Sequence, residues 1–499
     1  MTGEWALRVK NNLKMKNDMR KISMIWAAAA MLLASCGGAA EEAAAEKPWD
    51  NGRLQVSENG RFLQFENGKP FFWMGETGWL LPEKLDRADA DFYLDGVRDA
   101  GYNVVQVQTV NGVPATNVFG AKSMPDGFDF SCIDAEDAEK GYWQHFDYII
   151  KKAEQNGIYI GMVCIWGGLV KSGLMNAEQA ESYGRFLAER YKDAPNIIWI
   201  IGGDIRGDVE TEVWETLART IKKYDPNHLM SFHPFGRTSS IYWFHNADWL
   251  DFNMFQSGHR RYDQTRGDGD ATAQAAVAED NWRYVEAGLA MEPQKPILDA
   301  EPSYEEIPQG LHDPEEPWWK APDVRRYAYW SVFAGAFGHT YGHNSIMQMH
   351  PGGEKPGAYG ARKTWREGMQ DPGFNQMKYL KALIMTFPFF ERVPDQSIIA
   401  GENGFRYDRA AATRGEDYLL VYTYTNKPMQ IDLSKISGAK KRVWWYSVTD
   451  GGLEYAGEFA DGVHEFRYDG PEGPANDHVL IAVDAAKDYV KAGQTTLVR

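Results

Sequence analysis

From Phe71 to Thr386 the chain alternates short apolar runs with amphipathic stretches, a strand pattern followed by a helix pattern, eight times over. Repeated β-then-α units run their strands in parallel, and a parallel sheet has to be covered by its own helices. Phe71 to Gly75 is the expected first strand. A helix over residues 88 to 100, closed by Gly101, leads to a strand at Val104 to Gln108. Phe146, Ile149, Ile150 and Ala153 stripe a second helix that ends at Gly157 before a strand at Ile158 to Ile165. Tyr183, Phe186, Leu187 and Tyr191 stripe the third helix and Trp214, Leu217, Ala218 and Ile221 the fourth. Leu229 to His233, Leu250 to Phe255 and Ile297 to Glu301 continue the strands, with a helix over about 272 to 289. The stretch Trp330 to Phe337 is apolar, Gly338 to His343 reads as the eighth strand and its loop, and a helix over 375 to 386 closes the ring. Eight units, with no glycine-rich dinucleotide loop after the first strand, predict an α/β fold of the (β/α)8 TIM-barrel type rather than a doubly wound sheet.

One strand stands out. Ile197 to Asp204 reads Ile-Ile-Trp-Ile-Ile-Gly-Gly-Asp, five apolar residues suited to burial on both faces and then a carboxylate at the C-terminal end, where barrels keep their chemistry. Pro296 to Pro302 repeats the plan and ends in Asp299-Ala300-Glu301. An acid and a carboxylate from different strands can split a glycosidic bond: one protonates the leaving oxygen, the other attacks the anomeric carbon or activates water. Asp204 suits the acid, because Gly202-Gly203 would let a substrate oxygen come close, and Glu301 suits the nucleophile. An isolated carboxylate more often caps a helix or pairs with an arginine. Two at predicted strand ends, in a chain with 13% aromatic residues including 18 Trp and 25 Tyr on which sugar faces can stack, favour chemistry.

Before the fold, Lys14, Lys16, Arg20 and Lys21 precede an apolar run from Ile22 to Leu33 that meets Leu33-Ala34-Ser35-Cys36. This reads as an export signal, too short to span a bilayer comfortably, and it resembles the lipobox of bacterial lipoproteins, in which the cysteine is lipidated. The expected layout is a signal peptide over 1–36 with lipidated Cys36, a tether over 37–48, a barrel over 49–392 and a β-sandwich over 393–499. Residues before Met15 read as an overlong start. Leu54 to Val56 and Phe62 to Phe65 form a hairpin around Asn59-Gly60. After Pro394, Phe405 to Tyr407, Tyr418 to Tyr424, Val443 to Val448, His464 to Tyr468 and His478 to Val483 are short alternating runs at sandwich-like spacing. The formal charge of −17, about −21 once the basic signal is removed, argues against a nucleic-acid partner. Membrane attachment is expected through the lipid alone, on the periplasm-facing side or at the cell surface, and Cys132 and Cys164 are expected to remain thiols.

Four separated motifs carry a family resemblance: Phe72 to Trp79, Ile198 to Asp204, Phe255-Gln256-Ser257-Gly258-His259 and Asp299 to Pro302. Together they resemble the apiosidase-like glycoside hydrolases, and Trp444-Trp445-Tyr446 with Asp450-Gly451 resembles the collagen-binding-type β-domain that accompanies them. The wider clan of retaining glycosidases usually has Asn-Glu where this chain has Gly203-Asp204. The resemblance implies Asp204 as acid/base, Glu301 as nucleophile, and release of apiose-linked units from pectic side chains, with no cofactor.

Other residues at strand ends are candidate sugar contacts. Trp79, Trp166 and His233 follow strands one, three and five; Gln108, Asn111, Gln256 and His343 offer polar groups to hydroxyls, against a plain wall-packing role for each. Arg206 is expected either to pair with Asp204 or to bind a substrate carboxylate. His259, Arg260 and Arg261 with Arg266 form a possible basic patch for an acidic polysaccharide, or an ordinary solvated loop; Arg266-Gly267-Asp268 is chance. His339, His343 and His350 have spacing for a metal but lie among Gly338, Gly342 and Pro351, so no metal is expected. The rival reading is a non-catalytic surface protein that grips glycan or matrix, for which both Asp204 and Glu301 would not be needed.

Overall fold

The computed structural model describes residues 47–133, 137–264, 279–491 and 493–498. The expected signal, Cys36, Arg266 and the first part of the 272–289 helix lie outside them. Leu54–Val56 (β1), Leu63–Phe65 (β2) and Pro70–Phe71 (β3) make a small antiparallel sheet. The first barrel strand therefore begins at Trp73 rather than Phe71, because Pro70 and Phe71 pair back onto β2.

The barrel strands are Trp73–Thr77 (β4), Val104–Gln108 (β5), Tyr159–Val163 (β6), Ile197–Ile205 (β7), Met230–Pro234 (β8), Asn253–Gln256 (β10), Ile297–Asp299 (β11) and Gly338–Tyr341 (β12), with the two-residue β9 (Thr238–Ser239) beside β10. They form one sheet in the order β8-β7-β6-β5-β4-β12-β11-β10-β9, in which all the barrel pairs are parallel and only β9 runs antiparallel. Between β8 and β10 the ring closes without a ladder: the Asp251 amide donates to the Met230 carbonyl at 2.9 Å and the Ser231 hydroxyl to the Phe252 carbonyl at 2.6 Å. Trp73, Trp199 and Phe252 are fully buried, and Trp73 Nε1 donates to Thr340 Oγ1 at 3.0 Å across β4 and β12. A packed interior of this kind leaves a functional cavity to the ends of the strands.

The helices start where local chemistry directs. The Asp86 side chain caps Arg87–Asp99, and Asn176 with Gln179 forms a capping box on Ala177–Tyr191. Gly101 and Gly157 take left-handed backbone just past helix ends. The sixth strand starts at Asn253, not Leu250; the apolar residues Trp330 to Phe333 close the helix Ala321–Phe333, and the eighth strand starts at Gly338 as expected.

After the barrel, β13 (Val393–Pro394), β14 (Ala411–Arg414), β15 (Tyr418–Thr423), β17 (Lys440–Ser447), β18 (Leu453–Ala460) and β20 (His478–Asp484) build a six-stranded sheet, faced by the pair β16 (Met429–Asp432) and β19 (Val463–Phe466). Leu419, Val421, Ile431, Leu433, Trp445, Phe466 and Leu480 fill the space between them. Phe405 to Tyr407 is not a strand: Arg406–Asp408 is a single 3-10 turn, and Arg406 has φ +52°.

The β-domain packs on the barrel through the helix Ala321–Phe333. Arg325 Nη2 lies 2.7 Å from Asp477 Oδ1, with side chains 4% and 1% exposed, and Tyr329 stacks on Tyr422 with ring centroids 4.8 Å apart. Tyr407 donates to Glu279, which also pairs with the fully buried Arg326 at 2.6 Å. Among the described residues no helix is long and apolar enough to cross a membrane.

Candidate active site

The carboxylate at the end of β7 is aimed by a bulge. Pairing of β7 with β8 shifts register between Gly202 and Ile205, and three successive residues, Gly202, Gly203 and Asp204, take φ of 90°, 104° and 49°. Such a bulge turns a side chain off the regular alternation of the strand. Aspartate tolerates the left-handed region better than most residues. The glycines have a second reason to be there: a Cβ on Gly203 would lie 2.7 Å from the Trp166 ring, and one on Gly202 would lie 2.6 Å from the His233 carbonyl. Close approach is to the protein's own rings and backbone.

Glu301 follows β11 and is 7% exposed. Two imidazoles converge on it. His259 Nε2 is 3.1 Å from Oε1 in an aligned hydrogen bond, and His233 Nε2 is 3.3 Å from Oε2, close enough for attraction but off the hydrogen-bonding line. Both tautomers are set from behind. His259 Nδ1 accepts from the Tyr304 amide at 3.3 Å, and His233 Nδ1 accepts from the Asp204 amide at 3.4 Å, so each ring presents Nε2–H to the carboxylate.

The two acids are pushed apart electrically. Burial, and then the negative charge of Glu301, raises the pKa of Asp204 to about 6, against the pull of His233 and His259 and a hydrogen bond from the Gly236 amide. Burial alone would raise Glu301 too. The Nε2–H groups of His233 and His259, both directed at it, outweigh burial and hold that carboxyl well below the usual carboxylate range. A protonated acid and an ionised carboxylate in one site are the two states glycosidic cleavage requires. Asp299 lies behind them, fully buried, its pKa raised to about 7 by burial; Ser257 Oγ and Asn281 Nδ2 donate to it at 2.7 and 3.0 Å. It fixes the strand end.

A cavity of about 570 Å³ contains both acids, and segments following all eight barrel strands line it. Of the expected contacts, Trp79, Gln108, Asn111, Trp166, Gln256, His259 and Arg260 line it, and His233 reaches it through Glu301. Trp79 donates to Tyr304 Oη at 3.1 Å and stands edge-on to Trp166 and His233, so it braces the wall. Gln108 and Gln256 each keep a buried amide oxygen without a protein partner, poised for a hydroxyl donor.

Two expected residues do other work. Arg206 pairs with Asp208 rather than with Asp204: its Nε and Nη2 donate to the two Asp208 carboxylate oxygens at 3.0 and 2.7 Å. His343 is fully buried, and its Nε2 meets Asp371 at 2.9 Å while Nδ1 caps the Ser345 amide, so it does not line the cavity. Of the basic run, Arg261 is taken up by Asp263 and Glu316. Sequence reading missed Tyr304, Gly236, His312 and Tyr359. Tyr304 stands three residues after Glu301 and its neighbourhood could have suggested it; Tyr359 sits in a glycine-rich loop with no pattern.

An acid after the fourth barrel strand and an ionised carboxylate after the seventh, in one aromatic-walled cavity, define a site of the glycoside hydrolase kind. The chain belongs to the apiosidase-like family, whose catalytic-domain model matches residues 57–391. Residues 393–483 match the family described as "Putative collagen-binding domain of a collagenase". A solved structure described as a glycoside hydrolase is 64% identical, covers 89% of this chain and 100% of its own, and superposes with a TM-score of 0.87. A glycoside hydrolase family 5 protein from Bacteroides vulgatus ATCC 8482 is 62% identical over 91% of this chain and 98% of its own, with a TM-score of 0.89. "Probable mannan endo-1,4-beta-mannosidase F" of Aspergillus oryzae is 26% identical over 199 residues, 34% of this chain and 42% of its own length. The chain thus spans about two fifths of the length of the curated relatives it matches.

Proposed function

We propose that this protein hydrolyses glycosidic bonds in pectic side chains of plant cell walls, apiose-linked units among them, with retention of configuration. The observation that carries the hydrolytic reading is the pair of opposed protonation states: Asp204 holds its proton up to about pH 6, while two imidazoles keep Glu301 ionised. In the first step a Glu301 oxygen bonds to the anomeric carbon as the glycosidic C–O bond breaks and the Asp204 proton passes to the leaving oxygen. In the second, Asp204 takes a proton from water, whose oxygen displaces Glu301. Family membership and the aromatic wall support a sugar substrate; the pectic assignment rests on the family alone. Attachment to the bacterial envelope through a lipid on Cys36 belongs to the same proposal, and mass spectrometry of the N-terminal peptide tests it.

The deciding experiment is product release from apiose-bearing pectic oligosaccharides and from β-1,4-mannan, by the wild type beside Asp204→Ala and Glu301→Ala. Release from the pectic set that both substitutions abolish in folded protein is expected, and NMR of the first-formed anomer reads retention. Release from mannan alone would move the substrate class; none from any glycan, or release indifferent to both substitutions, would overturn the mechanism and leave a glycan-binding protein.

A further inference from the structure

In the stretch after β12, Met349 and Tyr359 both take left-handed backbone; Met349 is buried and Tyr359 is exposed. Tyr359 has φ +52° and ψ +31°, left-handed backbone that a bulky aromatic rarely adopts. Gly360 follows it and Gly357 stands two residues before it, and a glycine at 359 itself would make this turn without strain. The turn is held by side chains instead. Asn344, fully buried, donates Nδ2 to the Tyr359 carbonyl at 2.9 Å and to the Glu306 carbonyl at 2.8 Å. Gln348 brackets Ala358, accepting from its amide at 2.7 Å and donating to its carbonyl at 3.0 Å. On the far side Arg362 lies over the Trp318 ring at 3.8 Å and pairs with Glu306 at 3.1 Å, so the loop is tied down on both flanks.

What the clamp presents is a ring on the cavity. Tyr359 is 38% exposed, lines the cavity that contains Asp204 and Glu301, and lies 5.6 Å from the His312 ring, which lines it too. Burial and then both carboxylates push its ionisation up, so the hydroxyl keeps its proton as a donor. Strained residues held in place by surrounding structure cluster where a ligand is gripped. We propose that Tyr359, presented by the Asn344–Gln348 clamp, is a substrate-positioning residue whose ring and hydroxyl hold the sugar against the two acids. This rests on the glycoside hydrolase reading.

The test uses the substrate that the wild type cleaves best and measures kcat, KM and Tm for Tyr359→Asn, Tyr359→Phe, Asn344→Ala and the Asn344→Ala/Tyr359→Asn pair. Asparagine suits left-handed backbone, so Tyr359→Asn is expected to keep its Tm while kcat/KM falls at least tenfold, chiefly through KM. Tyr359→Phe, with the ring but not the hydroxyl, should fall between. Asn344→Ala should raise KM several-fold alone and add little once Tyr359 is gone, because its part is played through that residue. Tyr359→Asn within twofold of wild type, or an Asn344→Ala cost on KM that is the same in both backgrounds, would overturn the inference while leaving the hydrolase reading intact. A wild type that cleaves nothing would overturn both.

Discussion

Glu301 stays ionised in a place where burial alone would protonate it, and the cause is two histidines whose Nδ1 atoms are each occupied by a backbone amide. Losing one should be visible in the pH profile. The base form of Glu301 and the acid form of Asp204 must coexist, so kcat/KM should run from Glu301's depressed pKa up to about 6 and fall above it as Asp204 ionises. His259→Ala removes one donor to Glu301, so Glu301 rises and the acidic limb should move up by about a unit or more; because His259 also holds Asp204 down, the alkaline limb near 6 should move up as well. An acidic limb left in place would mean that His259 does not hold the carboxylate. Asp204 carries the opposite linkage. Its pKa is raised above the ordinary 3.8, so the folded state is penalised as pH climbs through that interval and most fully above about 6. Asp204→Asn should therefore be more stable at pH 7.5 by about 1–2 kcal/mol, the partial exposure of the side chain trimming the gain, and no more stable below about pH 4. Thermal melts of the two proteins at both pH values check this, and activity should vanish in the variant.

At the scale of the element, β7 concentrates both what could be read and what could not. The run Ile197 to Ile201 announces a buried strand, and a carboxylate at its end announces a site; the bulge that aims Asp204 leaves no such mark, because glycine pairs serve turns and close approaches alike. The sequence reading gave Gly202 and Gly203 to the substrate. The structure gives them to positive φ and to the Trp166 and Phe232 rings. Gly203→Ala is the sharp test: its Cβ would enter the Trp166 ring on a backbone at φ 104°, and neither can yield without moving Asp204. A loss of about 2–3 kcal/mol in urea unfolding is expected, with kcat down at least a hundredfold. An active Gly203→Ala enzyme would mean that the bulge does not set the acid. Strand boundaries were misread for related reasons. Leu250 is apolar and buried but belongs to a turn whose amide bonds Ala247, and Phe405 to Tyr407 alternates like a strand while lying in a 3-10 turn.

Across the whole molecule, the barrel was legible because its unit recurs eight times, and each recurrence supports the others. The β-domain was legible in kind but not in detail. β18 reads Leu-Glu-Tyr-Ala-Gly-Glu-Phe-Ala on a largely exposed edge, without the apolar alternation that marks a half-buried strand, and β14 and β16 are only four residues each. Nor could spacing reveal that Arg325 and Asp477, 152 residues apart, meet in the buried seam between the domains. Bracing of the barrel by the β-domain is testable at this pair. Asp477 accepts from Arg325 Nε and Nη2 at 2.9 and 2.7 Å and from Tyr422 Oη at 3.2 Å. Asp477→Ala would strand a buried guanidinium beside the Tyr329–Tyr422 stack, a loss of about 3–5 kcal/mol. If the domains fold as one body, denaturant unfolding of Asp477→Ala should remain a single transition at a lower midpoint, followed alike by tryptophan fluorescence and by loss of hydrolysis. The double variant Arg325→Met/Asp477→Leu should recover most of the stability, since apolar side chains of similar volume can replace a buried ion pair without leaving a charge behind. An early transition with activity retained would mean that the β-domain leaves first and the barrel stands without it.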